Sequence, residues 1–114
     1  MTIQNYTESF KALSDANRLR ILKMLELRTL CVCEIRAVLK LAPSTVSQHL
    51  KILKKNAFIK EEKKGRWVYY SLNRAPIHHG VATLQVVLHT MLNDTMQIQS
   101  DIKKLQSSKS AVCL

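Results

Sequence analysis

The chain's most reactive side chains are its three cysteines, two of which stand one residue apart in Cys31-Val32-Cys33. Cysteine is also a common core residue, so the pair takes its meaning from its place. The segment Cys31 to Leu39 carries Ile35, Val38 and Leu39 at helical spacing, with Glu34 near its positive end. Both sulfurs then fall at a helix start, where backbone N–H groups favour the thiolate, the form that binds soft metals and metalloids. Residues i and i+2 of a regular helix point about 200° apart. An ion gripped by both sulfurs must therefore distort that first turn. Two thiolates are too few for a structural zinc site, which takes four ligands, and a pyramidal three-sulfur ion such as arsenite or antimonite needs one more. Cys113 is within range, since the eight residues beyond Leu105 reach roughly 26 Å when extended. A small-molecule thiol could serve in its place, leaving Cys113 without a role.

The next stretch suits a different chemistry. In Ala42 to Lys55, Pro43 fits a first helical position, and Val46, Leu50 and Leu53 share one face at about 100° per residue. Ser44, Gln48, Lys51 and Lys55 gather on the opposite face, which has hydroxyl, amide and ammonium groups and no acid. Such groups suit phosphates and base edges, so Ser44, Thr45, Ser47, Gln48 and Lys51 are the candidate DNA contacts. His49, about 60° from the apolar stripe, reads as a packing or phosphate-contacting residue. Lys63, Lys64 and Arg66 around Gly65 make a second cationic group, aimed at phosphates. Lys+Arg of 18 against Asp+Glu of 8 gives a formal charge of +10. Its concentration between Lys51 and Arg66 favours double-stranded DNA over a membrane surface.

These groups need elements to position them. Tyr6, Phe10 and Leu13 predict a short amphipathic helix, and Ser14 and Asp15 offer caps for a second running through Asn17 to about Leu27. In that second helix Leu19, Ile21, Leu22, Met24 and Leu25 face the core, with Arg18, Arg20 and Lys23 expected mostly in solvent. Lys40 and Leu41 form a short link to Pro43, which with the helices on either side describes a helix-turn-helix lacking the usual glycine. After Asn56, Ile59 to Glu62 and the alternating run Trp67 to Leu72 flank Lys63-Lys64-Gly65-Arg66, predicting a basic-tipped hairpin. From Pro76, a final helix is expected to run to Leu105, with Val81, Leu84, Leu88, Met91, Thr95, Ile98, Ile102 and Leu105 on one narrow seam. The expected fold is mainly α with a small β-hairpin: a dimeric winged helix-turn-helix with a long C-terminal dimerisation helix. The domain is placed at residues 1–105 and a flexible tail at 106–114. Phe10, Val81, Leu84, Leu88 and Met91 are assigned to the homodimer contact.

The odd cysteine number and the absence of a charged, then apolar, opening segment predict a cytoplasmic protein with reduced thiols. The most apolar stretch, Val81 to Leu92, is too short to span a bilayer. A thiol enzyme would want C-x-x-C on a βαβ unit, so neither catalysis nor a catalytic cofactor is expected.

Four motifs carry a resemblance: Leu13-Ser14-Asp15-Ala16-Asn17-Arg18-Leu19-Arg20-Ile21-Leu22, Leu30-Cys31-Val32-Cys33-Glu34-Ile35, Ser44-Thr45-Val46-Ser47-Gln48-His49-Leu50-Lys51-Ile52-Leu53, and Gly65-Arg66-Trp67-Val68-Tyr69-Tyr70. With them the chain resembles the ArsR/SmtB family of winged-helix metal-responsive repressors from about Phe10 to Leu105. The resemblance implies a homodimer that represses a resistance operon and leaves its operator when a toxic ion binds. The Leu-Cys-Val-Cys-Glu motif is similar to that of the arsenic- and antimony-sensing branch, which implies trivalent arsenic or antimony as inducer at Cys31, Cys33 and, as the third sulfur, Cys113. The chain departs from that branch at Arg36 and Ala37, where the third family cysteine would stand. Residues 1–30 lack the cysteines of the cadmium- and lead-sensing branch. His78, His79, His89 and Asp94 lie near the zinc-sensing positions, but Ile77 replaces the aspartate and the spacing to His89 is one short. A repressor answering to thiol oxidation or to another soft metal is the alternative reading.

Overall fold

The computed structural model describes residues 1–108. Helix α1 (Ile3–Leu13) opens on a reciprocal cap: the Thr2 hydroxyl accepts from the Asn5 N–H at 3.1 Å, and the Asn5 amide oxygen accepts from the Thr2 N–H at 2.9 Å. Asp15 caps α2 (Ala16–Leu27), its carboxylate accepting from the N–H groups of Asn17 at 2.8 Å and Arg18 at 3.2 Å. Strand β1 (Leu30–Cys31) leads into α3 (Val32–Leu39), then α4 (Pro43–Lys55), β2 (Ile59–Lys64), β3 (Trp67–Leu72), α5 (His79–His89) and α6 (Met96–Ser108).

The turn between α3 and α4 is made without glycine because Lys40 itself adopts a left-handed conformation, with φ 56°. Gly65, with φ 64°, turns the hairpin between β2 and β3. The three strands pair antiparallel in the order β1-β3-β2, with Leu30 opposite Tyr70, Cys31 opposite Tyr69 and Glu61 opposite Tyr70. A strand as short as β1 has no alternation to read, and the hairpin expected from sequence is thereby a three-stranded sheet.

One core joins all of this: Ile21, Leu22, Leu25, Leu30, Ile35, Val46, Leu50, Leu53 and Phe58 are buried together. Each such side chain contributes about 1.5–3 kcal/mol on burial. Helices α1 and α5 meet at Gly80, where an added Cβ would stand 2.6 Å from the Tyr6 ring, so a larger residue there would force the ring to shift.

The single long C-terminal helix is corrected. It breaks after Thr90, with Leu92 at φ 69°, and restarts at Met96. Two local features produce the break. Lys23 donates to the terminal carbonyls of α5, Leu88 at 2.9 Å and His89 at 3.4 Å, and the Thr95 hydroxyl accepts from the Ile98 N–H at 3.3 Å at the start of α6. The second half of the seam therefore folds back: α6 packs on α2 and α3, burying Ile98 and Leu105 within its own chain. Helix α6 also continues to Ser108, past the boundary expected at Leu105.

The three basic residues of α2 are corrected too. Arg18 and Arg20 are largely covered and Lys23 is 2 % exposed. Arg18 caps α1, donating from Nε to Ala12 at 2.7 Å and from Nη2 to Lys11 at 3.2 Å. Arg20 grips the buried Asp101 of α6 through two bonds of 2.8 and 3.0 Å.

Candidate nucleic-acid interface and cysteine pair

Helix α4 divides as its periodicity requires. Val46, Leu50 and Leu53 are buried, and Ser44, Thr45, Ser47, Gln48 and Lys51 are all exposed on one outward face. The helix has no side-chain cap; Pro43 occupies its first turn, and the free N–H groups there lie beside Ser44 and Thr45. His49 is only 9 % exposed and takes the packing role. Arg18 Nη1 lies 3.2 Å from His49 Nδ1, and Asp15 Oδ1 lies 3.9 Å from Nε2. This fixes the middle of α4 to the start of α2. Burial pushes the Asp15 carboxyl up, but the N–H groups of Arg18 and Asn17, with His49 and the Arg18 guanidinium, outweigh it and hold the carboxyl below its ordinary value.

The wing carries Lys63, Lys64 and Arg66, all exposed at its tip. Lys64 Nζ sits 3.4 Å from Glu62 and 5.7 Å from the Tyr69 ring centre. Behind the tip, Tyr70 Oη donates to Glu61 at 2.7 Å and Lys54 Nζ donates to the other carboxylate oxygen at 3.2 Å. The Tyr70 bond, opposed by burial and assisted by Lys54, holds the Glu61 carboxyl below its ordinary value. Burial, then the same bond, pushes the Tyr70 phenol up. Sequence reasoning missed this group; the legible signal was the adjacent acids Glu61 and Glu62 in an otherwise basic hairpin.

Cys31 and Cys33 stand at the junction of sheet and helix. Cys31 is buried, with extended backbone, and occupies the cap position before α3; Cys33 is partly exposed within its first turn. The expected divergence of two helical residues therefore does not apply, because Cys31 is not helical. Its N–H donates to Glu34 at 3.0 Å, and Glu34, itself buried, also accepts from Arg28 at 2.8 Å. The Cys31 backbone pairs with Tyr69 of the wing strand. Cys113 lies outside the described residues, and among those described no group of three or more His, Cys, Asp or Glu is arranged to hold a metal.

Of the residues assigned to dimerisation, Val81 and Leu88 are buried in the core of their own chain, Leu84 is partly covered, and Phe10 and Met91 are exposed. Ile3, Tyr6, Val86 and Val87 are further exposed apolar residues of α1 and α5. His78 and His79 are exposed at the start of α5, and His89 at its end lies 3.5 Å from Glu26. No helix among the described residues is long and apolar enough to cross a membrane.

A helix-turn-helix whose second helix presents hydroxyl, amide and ammonium groups, followed by a basic-tipped hairpin, defines a winged helix-turn-helix DNA-binding regulator rather than an enzyme. The family described as "Bacterial regulatory protein, arsR family" matches residues 15–61. Over 72 residues the chain is 39 % identical to the arsenical resistance operon repressor of Bacillus subtilis, covering 62 % of this chain and 69 % of that one. Over 69 residues it is 44 % identical to the transcriptional repressor SmtB homolog of Synechocystis sp., covering 60 % of this chain and about half, 52 %, of that relative's length. Reduced HlyU from Vibrio cholerae N16961 shares the fold with a TM-score of 0.62 at 30 % identity, over 75 % of this chain and 86 % of that one. The chain belongs to the ArsR/SmtB family of transcriptional repressors.

Proposed function

We propose that this protein is a homodimeric, cytoplasmic repressor of a metal(loid)-resistance operon that leaves its double-stranded operator when trivalent arsenic or antimony binds Cys31 and Cys33. The observation that carries this reading is the position of Cys31 and Cys33. Cys31 belongs to the strand that pairs with the wing, and Cys33 to the helix that leads through Lys40 into the DNA-facing helix. Cys31 donates its N–H to Glu34 and pairs along the backbone with Tyr69, so an ion held by both sulfurs acts at a junction shared by both DNA-contacting elements. Ser44, Thr45, Ser47, Gln48 and Lys51 face the duplex, and Lys63, Lys64 and Arg66 hold phosphates.

A second copy covers the exposed apolar residues of α1 and α5, with Phe10, Leu84 and Met91 in contact and Val81 and Leu88 supporting them from inside. That arrangement sets the spacing of two recognition helices. Cys113, from either subunit, supplies the third sulfur. Arsenic X-ray absorption on reduced, arsenite-loaded protein tests the ligand set. Three sulfur neighbours are expected, falling to two in Cys113→Ser; an arsenic surrounded by oxygen alone would contradict the site.

A further inference from the structure

Strand β2 pairs with β3 along its whole length, but its side chains offer little that fixes the hairpin against α4. Ile59 is buried at its base, and every residue from Lys60 to Lys64 is exposed. Among the described residues, the side-chain hydrogen bond that joins β2 to α4 is the one from Lys54 to Glu61. Glu61 in turn accepts from the hydroxyl of Tyr70, its cross-strand partner, which is 8 % exposed. These groups line a groove of about 290 Å³ between α4 and the hairpin, with Ser47, Leu50 and Lys51 on the α4 side. A carboxylate in this surface repels phosphate, so its presence costs DNA affinity unless it organises something.

We propose that Glu61 and Tyr70 are positioning residues for DNA binding, fixing the wing at one angle to the recognition helix so that both engage the same duplex. Glu61 touches no DNA in this role. It is the brace between the last turn of α4 and the centre of the hairpin. The wing tip lies three residues further along β2, roughly 10 Å at strand rise, so a small rotation at an unbraced Glu61 moves the Lys63, Lys64 and Arg66 cations off their phosphates. The proposal rests on the reading above that those three side chains contact phosphates.

The test is the salt dependence of binding, by fluorescence anisotropy on a labelled duplex carrying the DNA upstream of the coding sequence. Each lost phosphate contact lowers the slope of log affinity against log salt by about 0.9. Tyr70→Phe, which alters no charge, is expected to lower the slope by about 1–2 and the affinity about tenfold while the preference for this duplex over a scrambled one persists. Glu61→Gln, a change at an exposed strand position, separates the accounts by sign. Loss of repulsion alone would tighten binding, whereas loss of the brace weakens it and flattens the slope. The combined Lys63→Ala, Lys64→Ala, Arg66→Ala variant sets the floor. If that variant flattens the slope and neither Tyr70→Phe nor Glu61→Gln does, the brace is refuted. If the triple variant itself leaves the slope unchanged, the wing-phosphate reading fails first and takes the brace with it.

Discussion

Asp15 serves two elements at once: its carboxylate caps α2 and lies beside the His49 ring of α4. Because its folded value is depressed, the stability it contributes is fully present above the unfolded carboxylate value near 4 and is lost as pH falls through the lower, folded value. The same sign holds for Glu61. Asparagine caps almost as well as aspartate but does not titrate. Asp15→Asn should therefore keep the cap but melt somewhat below wild type near neutral pH, where it lacks the contribution of the charge, and should lose less of its melting temperature below about pH 4. Equal acid sensitivity of the two proteins would remove Asp15 from the network. The cap itself was legible, since Ser14 and Asp15 precede an apolar run. Its link to His49 was not, because the ring is met 31 positions beyond Arg18 and no local spacing encodes that contact.

At the scale of elements, the helices and hairpin were readable because each is longer than one period of its own pattern. The apolar stripe of α4 predicted its buried and outward faces residue by residue. The error came from extending one period too far. Val81 to Leu105 keeps the three-four spacing through Asn93-Asp94-Thr95, but those residues are cap and turn formers, and they were the signal that two helices lie there. What seals the end of α5 is Lys23, whose ammonium holds two α5 carbonyls and Glu26 at 2.7 Å inside the protein. Position alone marked it as a solvated lysine, since its carbonyl acceptors lie 65 and 66 residues away. Truncation strands those acceptors in the interior. Lys23→Ala should cost about 3–5 kcal/mol in urea unfolding, the range for breaking a buried ion pair. A loss under about 1 kcal/mol, the level of a surface pair, would show that solvent already satisfies them.

In the whole molecule, Cys31 and Cys33, α4 and the wing form one connected unit. The close spacing of the cysteines was legible, and so was α3 as the connection from Cys33 to α4. The second route was hidden in β1, two residues long, which joins Cys31 to the wing through Tyr69 and Tyr70. On the proposed function, binding an ion and binding DNA compete for the same local geometry, and by linkage each weakens the other. The most direct measurement is an arsenite titration of the reduced protein bound to a labelled duplex of its upstream DNA, followed by anisotropy. Wild type should lose affinity at least tenfold, about 1.4 kcal/mol of coupling, with Cys33→Ser binding DNA normally and failing to release it. Wild-type affinity unmoved by arsenite, or a Cys33→Ser variant released as fully as wild type, would contradict control through these thiols.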